Sequence, residues 1–216
     1  MTEPDVALTD FAIALECVVF AVLLWRNRVR ATGLRFWFAL FFASVSVASL
    51  CGGLVHGFFL DEQSRGQAIL WPATLLAIGV AAFSAWAIGA TLVFPPRVSR
   101  SVKVAAVGQL AIYSPVVLFH NQEFAVALVN NLPAIVFLLI VLVLAYRREK
   151  HQGLLLAAGG LALTLIGGLG QQLGIGIHPK YFNHNALYHV IQAVALFLFF
   201  LGGRGLLVEP DESAIL

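Results

Sequence analysis

The chain has 216 residues, of which 60% are hydrophobic and 11% charged, and its formal net charge is +2. A soluble domain averages about 45–50% apolar and about 25% charged residues, so a water-soluble globular protein is excluded and an integral membrane protein is indicated. The positive charge hugs short links instead of forming a separate basic domain, which excludes nucleic acid as a partner.

A spanning helix needs about 20 mostly apolar residues. Seven segments meet this, at roughly 8–25, 36–58, 67–94, 102–120, 124–146, 153–176 and 184–207. The expected fold is therefore all-α, one seven-helix transmembrane domain over residues 1–216. The start "MTEPDVALTD" is acidic and has no basic n-region or cleavage pattern, so the first segment is expected to be kept. That segment carries Asp10 and Glu16, which leave its start open. No repeat or low-complexity tract interrupts the chain.

The links set the orientation. Arg26, Arg28, Arg30 and Arg35 surround the first; Arg97, Arg100 and Lys103 occupy the third; Arg147, Arg148 and Lys150 occupy the fifth. With Arg204, eleven of the thirteen basic residues fall on one side, against Arg65 and Lys180 on the other. Short Lys- and Arg-rich loops stay in the cytoplasm. The N-terminus is then outside and the acidic tail "EPDESAIL" inside. Short loops rich in Ala and Gly fit a plasma membrane, specifically a bacterial inner membrane.

The polar residues gather in the outer half. His56, His120, His178, His184 and His189 lie at outer helix ends or in the loop before the seventh helix. Gln67, Asn130, Asn131, Gln171 and Gln172 lean the same way. Residues three, four and seven apart share a helix face. In "FNHNALYHVIQ", Asn185, His189 and Gln192 form one stripe; Ser49, Gly52, Gly53 and His56 form another in the second helix; Gln109, Tyr113 and His120 form a third in the fourth. Polar stripes are penalised against lipid. Each is expected to face the bundle interior and to contribute to an outer pocket holding Gln67, Asn130, Gln171, Asn185 and Gln192. Asn130 and Asn131, just before Pro133, also suit the backbone groups that the proline disturbs. Asp61 and Glu62 suit a solvated loop, and Trp71 an aromatic belt.

Imidazole and carboxylate are the usual ligands of catalytic zinc, which takes three protein ligands and a water. His56, His184 and His189, with Asp61 or Glu62 as base, supply the residue types for such a site. His184 and His189 are five apart, about 140° around an ideal helix, so both reach one ion only if His184 precedes the helix. There is no HExxH, GxSxG or phosphate-binding loop. The seventh helix has no lysine for a retinal-type Schiff base.

Seven helices, a serine and histidine late in the second, and histidines at the start of the seventh resemble the CREST superfamily of alkaline ceramidases, progestin and adipoQ receptors and haemolysin III-like proteins. The resemblance implies an intramembrane Zn2+ held by His56, His184 and His189, a nearby serine for which Ser49 is the match, an acidic group for which Asp61 or Glu62 stands, and hydrolysis of a lipid amide or ester. The family's histidine pair is four apart; here Asn185 takes the first place and His184 is displaced by one. Gly52 stands where the family has its serine, and Gln67 near where it has its aspartate. Two other readings stay open: a sensor, transporter or binding protein for a membrane lipid or small amphipathic molecule, and a haem carrier using histidines from two helices.

Overall fold

The computed structural model describes residues 1–26, 32–179 and 181–207. Arg28, Arg30, Lys180 and the acidic tail of the orientation argument lie outside them. The described residues form seven helices: α1 (Pro4–Arg26), α2 (Thr32–Phe58), α3 (Arg65–Val93), α4 (Pro96–Phe119), α5 (Phe124–Glu149), α6 (Gln152–Gln172) and α7 (His184–Leu207). Each is long and apolar enough to cross a membrane.

The helix ends follow local chemistry. α1 starts at Pro4 with Asp5 in its first turn, four residues before the apolar run. Proline suits a first helical position and an acid suits the positive end of the helix dipole. Asp10 is therefore well inside the helix, about 9 Å from its start at 1.5 Å per residue. α4 likewise starts early, at Pro96, so Arg97, Arg100 and Lys103 ride on its first turns and not on a link. α3 is capped by Ser64, whose hydroxyl accepts from the Gln67 amide. α6 stops at Gln172, four residues short of the expected end, where Gly174 takes a left-handed φ of 69° that glycine adopts without strain. α7 is capped by Asn183, whose Oδ1 accepts from the Asn185 and Ala186 amides.

α1 packs on α2, α2 on α3, α3 on α5, α5 on α6, α6 on α7 and α7 back on α1. Six helices thus close a ring, and α4 leans on α3 from outside, the least buried of the seven. The expectation that the α4 stripe faces the interior is corrected by this placement. Gln109 accepts from the Trp86 indole at 3.0 Å and donates to the backbone and side-chain oxygens of Asn130 at 2.8 and 2.9 Å. Tyr113 donates to the Leu75 carbonyl at 2.9 Å. These groups fasten α4 to the ring. Gln109 thus joins α4 to both α3 and α5, which explains a polar α4 face without a pocket behind it.

Two seams hold the ring. On α6, Gly153, Gly160 and Gly167 recur every seven residues; the first two admit the α7 backbone and the third the Ile191 side chain, and a Cβ at Gly160 would lie 2.5 Å from the Ala195 carbonyl. Small residues of this kind let membrane helices approach closely and pack. At mid-depth, Phe20, Phe42, Phe199 and Phe200 interlock, Phe20 and Phe200 stacked with centroids 4.1 Å apart. Arg26, Arg97, Arg100, Arg147 and Arg204 all lie at one end of the bundle, where α1, α3, α5 and α7 finish.

Candidate functional site

At the opposite end the ring encloses a cavity of about 280 Å³, lined from α1, α2, α3, α5, α6 and α7 but not α4. Its upper wall is polar, with Asp10, His56, Asn131, Gln171, His189 and Gln192. Its floor is apolar, with Phe41, Ile135, Leu161, Leu196 and Phe199.

α1 brings the acid. Asp10 is 5% exposed, and Gly52 on α2 makes room for it: a Cβ there would lie 3.3 Å from its Oδ2. Gly53, placed on the same face by its spacing, instead seats the Phe11 ring. Asp10 Oδ1 is 3.6 Å from His189 Nε2, beyond ordinary hydrogen-bond length. The other ring nitrogen, Nδ1, is 3.1 Å from Thr9 Oγ1. That hydroxyl has one hydrogen and two carbonyl acceptors, Asp5 and Val6, each at 2.9 Å. Assigning that hydrogen to the carbonyls makes Nδ1–H of His189 the donor to the Thr9 oxygen. In the uncharged ring Nε2 is then a bare acceptor facing a carboxylate. The pair is satisfied when one of the two takes up a proton or when a donor enters between them.

His56 is held differently. Its Nδ1 is 2.6 Å from Glu3 Oε2, while the Thr2 and Glu3 amides donate to the Gly57 and His56 carbonyls. The first residues of the chain thereby cap the exposed carbonyl end of α2. Trp71 stands edge-on to the His56 ring at 6.4 Å and donates to the Gln122 carbonyl at 2.7 Å.

Four amide side chains complete the wall: Asn131, Gln171, Asn185 and Gln192. Gln171 donates to Asn185 Oδ1 at 3.0 Å. The side-chain oxygens of Asn131, Gln171 and Gln192 are buried and accept no hydrogen bond from the described residues. Native structures leave few such atoms orphaned, and three around one cavity mark a place where a donor belongs.

The expected site is assembled in part. Ser49, His56, Gln171, Asn185, His189 and Gln192 line the cavity together. His184 does not: it is the first residue of α7 and borders a separate groove with Ile166, Leu169 and Leu187. Because Asn183 caps the helix, His184 is already helical, and the five-residue spacing turns it away from His189. Asp61 and Glu62 are exposed in the α2–α3 link, where Asp61 accepts from the Gln63 amide; neither lines the cavity. Gln67 stays in the first turn of α3, with a buried Oε1 but no place on the cavity wall. Asn130 is turned to Gln109, and its neighbour Asn131 takes the cavity place.

Among the described residues no three His, Cys, Asp or Glu side chains stand close enough to hold a metal ion. The ligand set expected for zinc, His56, His184 and His189, does not fit this arrangement, because His184 faces the separate groove. The residues that the sequence reading missed are Glu3, Thr9 and Asp10. Asp10 had a readable signal: an acid at helical spacing from Ala7, Ala14 and Cys17, all on a buried face, is an intramembrane acid and a functional candidate by default.

Comparison with curated proteins gave no match, and comparison with solved structures gave none. A family model covers residues 6–208, nearly the whole chain, from the first turn of α1 through the end of α7, with every cavity-lining residue named above. The chain therefore belongs to the family of unknown function DUF6962.

Proposed function

We propose that this protein is a seven-helix binding protein of the plasma membrane, a sensor or carrier that takes a small amphipathic molecule into its cavity. The observation that carries this reading is the layered wall: orphaned polar groups above and phenylalanine, leucine and isoleucine below. Small-molecule sites have this build, mostly apolar with a few convergent polar groups, and typically measure about 300–1,000 Å³. A volume of about 280 Å³ sits at the small end, suiting a compact ligand or the head of a larger one. The basic residues at the far end favour a cytoplasmic position for that end under the positive-inside rule. The cavity then opens towards the outside, with the N-terminus beside it.

A zinc-dependent lipid hydrolase is the second reading, resting on the CREST-like layout and on His56 and His189 sharing the cavity. His184, the third ligand of that layout, and Asp61 and Glu62, its expected acids, do not line the cavity.

The test is a thermal-shift screen of short alcohols, amines and carboxylates on protein in nanodiscs, with Ser49→Phe as control. Ser49 lines the cavity from α2, and a phenyl ring there fills it. The wild type is expected to rise by several degrees with at least one class, and Ser49→Phe to stay folded and unresponsive. Equal responses from both proteins would count against a cavity ligand.

A further inference from the structure

We infer that the cavity selects a primary ammonium group attached to a short apolar body, with Asp10 as its counter-ion. The inference rests on the binding reading above and names its ligand class.

The wall carries buried acceptors that no group of the described residues serves. Gln171 spends its N–H on Asn185, Trp71 on the Gln122 carbonyl and Thr74 its hydroxyl on the Leu70 carbonyl. The oxygens of Asn131, Gln171 and Gln192 receive nothing. Asp10 makes no hydrogen bond among the described residues, and His189 Nε2, 3.6 Å away, is itself an acceptor in the uncharged ring. The cavity lining contains no lysine or arginine, so the protein brings no fixed cation to the carboxylate.

A buried carboxylate is costly unless it is paired and hydrogen-bonded. A primary ammonium supplies one positive charge and three N–H donors, matching a carboxylate and two amide oxygens at once. An alcohol brings one donor and no charge. A carboxylate ligand would meet Asp10 with like charge. A quaternary ammonium has the charge but no N–H. The aromatic rings of Trp71, Phe124 and Tyr188 on the same wall favour a cation further, and the Phe41, Leu196 and Phe199 floor takes the alkyl part.

The same ammonium could arrive on a free amine or on a lipid headgroup, and the test separates the two. Wild type and Asp10→Asn in phosphatidylcholine nanodiscs are titrated with n-hexylamine, n-hexanol, n-hexanoate and hexyltrimethylammonium, read by thermal shift and calorimetry. A further arm adds phosphatidylethanolamine to the discs. Partition into the bilayer is common to both proteins, so the difference between them reports the site. Hexylamine is expected to bind best, with hexyltrimethylammonium weaker. Asp10→Asn is expected to weaken hexylamine about 10- to 100-fold, the range for a charged hydrogen bond, and to leave hexanol unchanged. Stabilisation by phosphatidylethanolamine that Asp10→Asn removes supports the same chemistry with a lipid source. If hexanol or hexanoate binds wild type as well as hexylamine does, the ammonium inference falls and the cavity reading stands. If no probe of any class binds folded wild type, both fall.

Discussion

Leucine in place of Gly160 is expected to abolish the folded bundle. Any side chain at this position begins with a Cβ 2.5 Å from the Ala195 carbonyl and 2.9 Å from the Phe199 amide nitrogen. Both are α7 backbone, which cannot step aside as a flexible side-chain tip would. α6 and α7 must separate, and the contacts of Gly153 with Gly202 and of Gly167 with Ile191 separate with them. Overpacking a well-filled core costs about 1–3 kcal/mol when side chains can adjust; here they cannot, so the loss exceeds that range. Gly159, one residue earlier, has nothing within 4 Å of its would-be Cβ, and Gly159→Leu is expected to fold like wild type. Size-exclusion profiles of the two variants in detergent check this. A monodisperse, heat-resistant Gly160→Leu would show that the α6–α7 seam is placed wrongly.

Asp10→Asn is expected to make the ligand-free protein more stable, by about 1–2 kcal/mol, while removing its function. The wild-type carboxylate is buried against an acceptor nitrogen at 3.6 Å with no hydrogen bond of its own. Asparagine keeps the shape, removes the charge and offers Nε2 of His189 an N–H. Functional sites are often destabilised in this way, so substitutions there stabilise the fold at the expense of activity. Thermal unfolding of both proteins in the same nanodiscs, without added ligand, measures the difference. A variant less stable than wild type would mean that Asp10 already has a partner that holds it, and that it is a structural residue.

Much of the architecture was legible because the bilayer imposes it. Seven apolar runs of spanning length and the side-alternating arginines follow from solvent physics, and α7 begins at His184 as its pattern predicts. The helix ends at Pro4 and Pro96 were missed, since hydropathy tracks lipid contact while helices start at proline and polar residues in water. The stripe of Asn185, His189 and Gln192 was legible too, because a polar face in a membrane helix must turn inward. Which interior it meets was not. Gln109 and His189 have similar patterns, yet Gln109 fastens an outer helix and His189 faces the cavity. Periodicity gives direction around one axis and says nothing of which helices neighbour it. The pairing of Asp10 with His189 was hidden for the same reason: only the return of α1 to pack on α7 brings the two together.

Native mass spectrometry of the chain released from nanodiscs, after purification from its own membrane, tests the central claim most directly. The predicted spectrum shows one small organic adduct per chain in wild type, absent in Ser49→Phe and in Asp10→Asn. A stoichiometric zinc ion in its place, or an adduct held equally by all three proteins, would contradict it.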